Sequence, residues 1–66
     1  MKIELNGNEY IAGNGITVQN LIDELKLNIK STAVAVNKTI ISKSSYAAFV
    51  LNDNDKIDLV SIAPGG

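Results

Sequence analysis

With 66 residues, 45% of them hydrophobic, and six lysines against seven aspartates and glutamates, the chain has the composition of one small soluble globular domain. A net charge of −1, the absence of arginine and the scatter of the lysines leave no basic track for a phosphate backbone, so nucleic acid is not an expected partner. Cysteine and histidine are both absent, which removes thiolate nucleophiles, imidazole bases, disulfides and the usual zinc ligands.

Met1, Ile3 and Leu5 alternate with Lys2 and Glu4, the period-two pattern of a half-buried strand, and Asn6-Gly7 signals a tight turn. A return strand is expected over residues 9–12, ending at Gly13-Asn14-Gly15. Thr17 can cap a helix, and Val18, Leu21, Ile22 and Leu25 follow at i, i+3, i+4 and i+7, which predicts one amphipathic helix over residues 18–26. Position 20 is Asn rather than Glu or Gln, so a full capping box is not expected, and Asn28 is the expected stop. Ala33-Val34-Ala35-Val36 reads as a strand, Asn37-Lys38 as its turn, and Thr39-Ile40-Ile41 as a short return strand.

Tyr46, Phe49, Val50 and Leu51 fall in an irregular or single-turn segment expected to cover the edge of the core. Asp53-Asn54-Asp55 turns the chain into a last strand over residues 56–62, and Ala63-Pro64-Gly65-Gly66 follows as a tail. One helix and a set of strands make a two-layer α+β domain, residues 1–62, with a flexible tail at 63–66. The first and last strands are expected to pair in parallel, with the helix supplying the crossover. No apolar run nears the ~20 residues that span a bilayer and no apolar signal core follows Met1, so a cytoplasmic location is expected, with no membrane partner.

Three local features offer chemistry and carry little of it. Gly13-Asn14-Gly15 precedes a helix as a phosphate-binding turn does, but Val18 stands where the dinucleotide fingerprint needs a third glycine and no Walker lysine follows. Asp53, Asp55 and Asp58 lack calcium-loop spacing, since Ile57 replaces a ligand position and Asp58 the required glycine. Ser42, Ser44 and Ser45 have no histidine to activate them.

Gly65-Gly66 differs, because residues without Cβ allow a tail to enter a narrow channel and take up a wide range of φ and ψ. Four tail residues at ~3.3 Å each reach about 13 Å beyond the last strand. A carboxylate is a poor electrophile, so a terminal Gly66 needs a partner to activate it. The tail is expected to be mobile in the free protein. Period two also sends Ile57, Leu59 and Ser61 to one face of the last strand and Asp58, Val60 and Ile62 to the other. If Ile57 and Leu59 face the helix, Val60 and Ile62 form an apolar docking patch that continues into Ala63 and Pro64.

The opening MKIELNG, the G-x-T-V-x-x-L-I segment from Gly15 to Ile22, the A-V-A-V-N run from Ala33 to Asn37, the D-N-D-K-I segment from Asp53 to Ile57 and the terminal Gly65-Gly66 together resemble the ThiS family of sulfur carriers over the whole chain. The first four are fold signals; the last is the functional one, shared with the molybdopterin-synthase small subunit and ubiquitin-like modifiers. The resemblance implies a ubiquitin-like β-grasp fold, a mixed sheet packed on one main helix. It further implies that a ThiF-like enzyme, using ATP and magnesium, adenylates the Gly66 carboxylate. A persulfide donor then displaces AMP to leave a thiocarboxylate, and a ThiG-like thiazole synthase takes the sulfur for thiamin.

On this expectation the protein is a monomeric co-substrate rather than an enzyme, with no cofactor or metal of its own. A molybdopterin-pathway carrier, a protein modifier and an inert β-grasp interaction module are the competing readings. Pro64 departs from the family's usual small flexible residue and removes an amide donor, Lys43 stands where many members have arginine, and Asn54 where many have glycine.

Overall fold

The computed structural model describes residues 1–62. Strand β1 (Lys2–Leu5) turns at Asn6-Gly7 into β2 (Asn8–Ile11), and the positive φ of both turn residues, 49° and 83°, gives the right-handed twist that a two-residue hairpin needs. Helix α1 (Val18–Glu24) crosses over, and β3 (Thr32–Val36) and β4 (Thr39–Ile41) form a second hairpin around Asn37 and Lys38, again both at positive φ. Strand β5 (Lys56–Ser61) closes the sheet in the order β2-β1-β5-β3-β4. The β1–β5 seam is parallel, with Glu4 opposite Lys56 and Leu5 opposite Ile57, as expected from the crossover; the other pairings are antiparallel.

The single helix lies over one face of this sheet. Val18, Leu21 and Ile22 are fully buried and meet Ile3, Val34, Val36, Ile41 and Ile57, while Leu25 packs at the margin. The helix is shorter than its apolar periodicity suggests: Leu25 is its C-cap and Lys26, at φ 59°, takes the chain out of helical geometry. Asn28 therefore does not stop α1. Its side chain instead accepts from the Lys30 amide at 2.9 Å and starts a 3-10 turn over Ile29–Ser31.

The capping box expected to be absent is present. Thr17 Oγ1 accepts from the Asn20 amide at 3.1 Å, and Asn20 Oδ1 accepts in return from the Thr17 amide at 3.2 Å. The carboxamide of asparagine is an acceptor like that of glutamine and reaches the cap amide here despite its shorter stem.

The irregular stretch after β4 contains a 3-10 turn, Lys43–Ser45, and enters the core more deeply than an edge cover would. Tyr46 and Leu51 are buried, and the Tyr46 hydroxyl donates to the Thr32 carbonyl at 3.1 Å. The turn before β5 is held by its carboxylates: Asp53 accepts from the Lys2 amide, and Asp55 from the Asn52 amide and the Asn37 side chain. Asn54 adopts φ 70°, which explains how asparagine serves at a position suited to glycine. Among the described residues no helix is long and apolar enough to cross a membrane.

Candidate functional site

Strand β5 occupies the middle of the sheet and precedes the Gly-Gly pair in sequence, so its alternation decides which side chains each face presents up to residue 62. Ile57 turns inward and is buried against the core, and Leu59 is half-buried on the same side. Val60 and Ile62 go the other way and are 58% and 45% exposed. The expected split of the strand is therefore the one observed.

Cross-strand register extends this apolar surface over the open face. Val60 lies opposite Ala33, Asp58 opposite Ala35, and Ala35 opposite Ile40, which is itself exposed. Two alanines between larger aliphatic residues leave a shallow strip instead of a filled layer, with Asp58 as its carboxylate. The Ile62 amide donates to the Ser31 carbonyl at 2.6 Å, which anchors β5 to the 3-10 turn one residue past the strand. Lys43 Nζ donates to the Lys30 carbonyl at 3.0 Å and so ties two turns together beside that anchor.

Ala63, Pro64, Gly65 and Gly66, together with the expected mobility of the tail, lie outside the described residues. Of the remaining candidates, Gly15 has φ 80° and shapes the approach to α1, whereas Gly13 is not in the left-handed region. Asp53 and Asp55 spend their oxygens on main-chain amides and Asn37, and among the described residues no group of three or more acidic side chains converges as a metal site. Ser42 shares hydrogen bonds with Ser44 and Ser45, a local arrangement within a turn.

Two side chains near β5 escaped the sequence analysis. Asn6, counted only as a turn residue, also accepts from the Leu59 amide through Oδ1 at 2.8 Å, bracketing β5 where β1 ends. Leu27, with no periodic partner to mark it, is exposed beside a groove that runs along the last part of β5. The unequal lengths of the two strands, four residues against six, were the available signal, but they point to a gap only once the register is known.

A five-stranded mixed sheet covered by one helix, with β1 and β5 parallel at its centre, defines a ubiquitin-like β-grasp domain. The fold superimposes on the crystal structure of a thiamine biosynthesis protein, ThiS, from Geobacter metallireducens with a TM-score of 0.87, over the full length of both chains at 20% identity. A family model described as "ThiS family" matches residues 2–66, and the chain belongs to that family. It is 29% identical over 66 residues to the sulfur carrier protein ThiS of Escherichia coli, covering all of both chains. It is also 39% identical over its whole length to a thiazole synthase of Paramagnetospirillum magneticum, of which it spans 20%.

Proposed function

We propose that this chain is the sulfur carrier of thiazole formation and that the terminal carboxylate of Gly66 holds the sulfur. The observation that carries the reading is the family match, which runs from residue 2 through Gly65 and Gly66. Likeness of this same stretch to part of thiazole synthases favours the thiazole pathway over molybdopterin synthesis.

In the proposed cycle a ThiF-like enzyme joins the Gly66 carboxylate to the α-phosphate of ATP, with magnesium on the phosphates, and pyrophosphate leaves. The terminal sulfur of a persulfide attacks the acyl carbon and AMP departs with the electron pair of the broken C–O bond. A thiol then cleaves the acyl disulfide and leaves the thiocarboxylate. A ThiG-like synthase accepts that sulfur. The chain acts as a co-substrate, and its lack of cysteine suits a sulfur held on the main chain. The exposed Val60 and Ile62, with Ala63 and Pro64 beyond them, would dock the activating enzyme so that the tail enters its channel.

Intact-mass measurement tests the reading, beginning with a protein whose untreated mass shows Gly66 to be terminal. Incubation with the activating enzyme, ATP, magnesium and a persulfide donor should raise the mass by the difference between sulfur and oxygen. Deleting Gly66 shortens the reach by about 3.3 Å, where near-attack geometry tolerates about 1 Å, and should abolish the shift. Sulfur uptake by the truncated chain would place the carrier group elsewhere. Gly65→Ala adds one methyl in the channel and should slow loading without abolishing it.

A further inference from the structure

Beyond Asn6, β5 loses its neighbour on one side. Strand β1 pairs with it only through Glu4 and Leu5 and then turns away, while β5 continues to Ser61. The hydrogen-bond parity of the strand follows from its two ends. The Asn37 amide donates to the Lys56 carbonyl and the Ile62 amide to the Ser31 carbonyl, so even-numbered residues of β5 bond to β3 and odd-numbered ones face the β1 side. Thr32, opposite Ser61, confirms this: its amide donates to Ile29 and its carbonyl accepts from Tyr46. On the β1 side Ile57 accepts from Asn6, and the Leu59 amide donates to Asn6 Oδ1. The Leu59 carbonyl and the Ser61 amide and carbonyl come next, and among the described residues no partner is present for them.

Leu59, Val60 and Ser61 line a groove of about 530 Å³ between the sheet and the end of α1. Leu5, Leu25, Leu27 and Leu59 give it apolar walls, and Lys26 stands at its rim. Lys26 is exposed and makes no ion pair among the described residues.

The geometry points to this notch as a strand-addition site for an extended segment of the thiazole synthase that takes the sulfur, with an apolar side chain in the groove and an acidic one toward Lys26. The proposal rests on the carrier function above. An incoming residue opposite Val60 would donate its amide to the Leu59 carbonyl and accept from the Ser61 amide, continuing the parallel track that β1 leaves at Asn6. A helix cannot satisfy such a row, since its own main-chain groups are already bonded. The notch adjoins Val60 and lies on the strand that precedes the tail in sequence, so a segment held there would fix the carrier through the last strand before the tail.

Hydrogen exchange at the Ser61 amide, followed by NMR in the full chain alone and with the ThiG-like synthase, provides the test. Binding should slow exchange at Ser61 at least about tenfold, the scale of one main-chain hydrogen bond. Ser61→Pro removes that donor without removing a bond to β3, and should weaken synthase binding about tenfold; the remaining amide spectrum reports whether the variant is folded. Lys26→Glu should weaken binding as well, and more at low salt. A synthase that fails to bind, or binds without protecting Ser61, overturns the proposal. Protection that instead rises with carrier concentration alone assigns the notch to a second copy and overturns it too. The sulfur-dependent mass shift is read separately: a loaded carrier with an unprotected Ser61 leaves the carrier function standing, and an unloaded one removes it.

Discussion

Asparagine does three different jobs in this small chain. At positions 6, 37 and 54 it adopts positive φ, at 28 it caps a 3-10 turn, and at 20 it completes the cap of α1. The reciprocal pair Thr17–Asn20 should show this in a double-mutant cycle. Thr17→Ala is expected to cost about 1 kcal/mol in urea unfolding, and the double variant with Asn20→Ala less than the sum of the singles, because either change removes part of one shared box. Tyr46→Phe should cost about 1–3 kcal/mol by the same measurement, since it leaves the buried Thr32 carbonyl without its hydroxyl donor. Tyr10 donates to Glu24 at 2.5 Å, and this hydrogen bond, with lesser contributions from desolvation and the carboxylate charge, raises its pKa. A phenol whose folded pKa lies above the unfolded one adds stability that is complete below the unfolded value, about 10, and is lost as pH rises through the folded value. Glu24→Gln should therefore move the Tyr10 transition to lower pH in a spectrophotometric titration.

Helix α1 has seven residues, well under the ~12–15 that an isolated helix needs, so packing and its cap keep it formed. Leu21→Ala at its buried centre should cost about 2–5 kcal/mol, a large share of the about 3–10 kcal/mol expected for a domain of this size. Thermal or urea unfolding would show it. The helix and strands were legible because their periods are simple: 3.6 for Val18, Leu21 and Ile22, and two for Ile3, Leu5, Ile57 and Leu59. The ends were less so. Leu25 continues the apolar period but sits where Lys26 turns left-handed, a backbone event that side-chain pattern does not encode. Tyr46 has no periodic neighbours; it is buried in the apolar core, where its hydroxyl is satisfied by a tertiary bond to Thr32. The exposure of Val60 and Ile62 followed from alternation in β5, whereas the notch beside them depends on where β1 stops relative to β5, which is a property of two strands together.

At the scale of the whole molecule, the sheet has one face given to the helix and one left open, and the open face carries Ile40, Val60 and Ile62 beside the route to the tail. Val60→Asp should keep the fold, because the residue is exposed, and should weaken binding to the activating enzyme by about tenfold or more if it anchors the interface. Unchanged affinity in a titration would remove the patch from the account. The alternation of β5 has a consequence for cells that run several carriers of this kind. Its side chains at 60 and 62 address a face, while its main chain at 59 and 61 addresses an edge, and main-chain groups are the same whatever the residue. If the proposed docking roles hold, the face and the edge can vary separately: exchanging residues 60 and 62 between two carriers would alter what the face presents, while the main-chain groups at 59 and 61, and the leucines and Lys26 beside them, stay as they are.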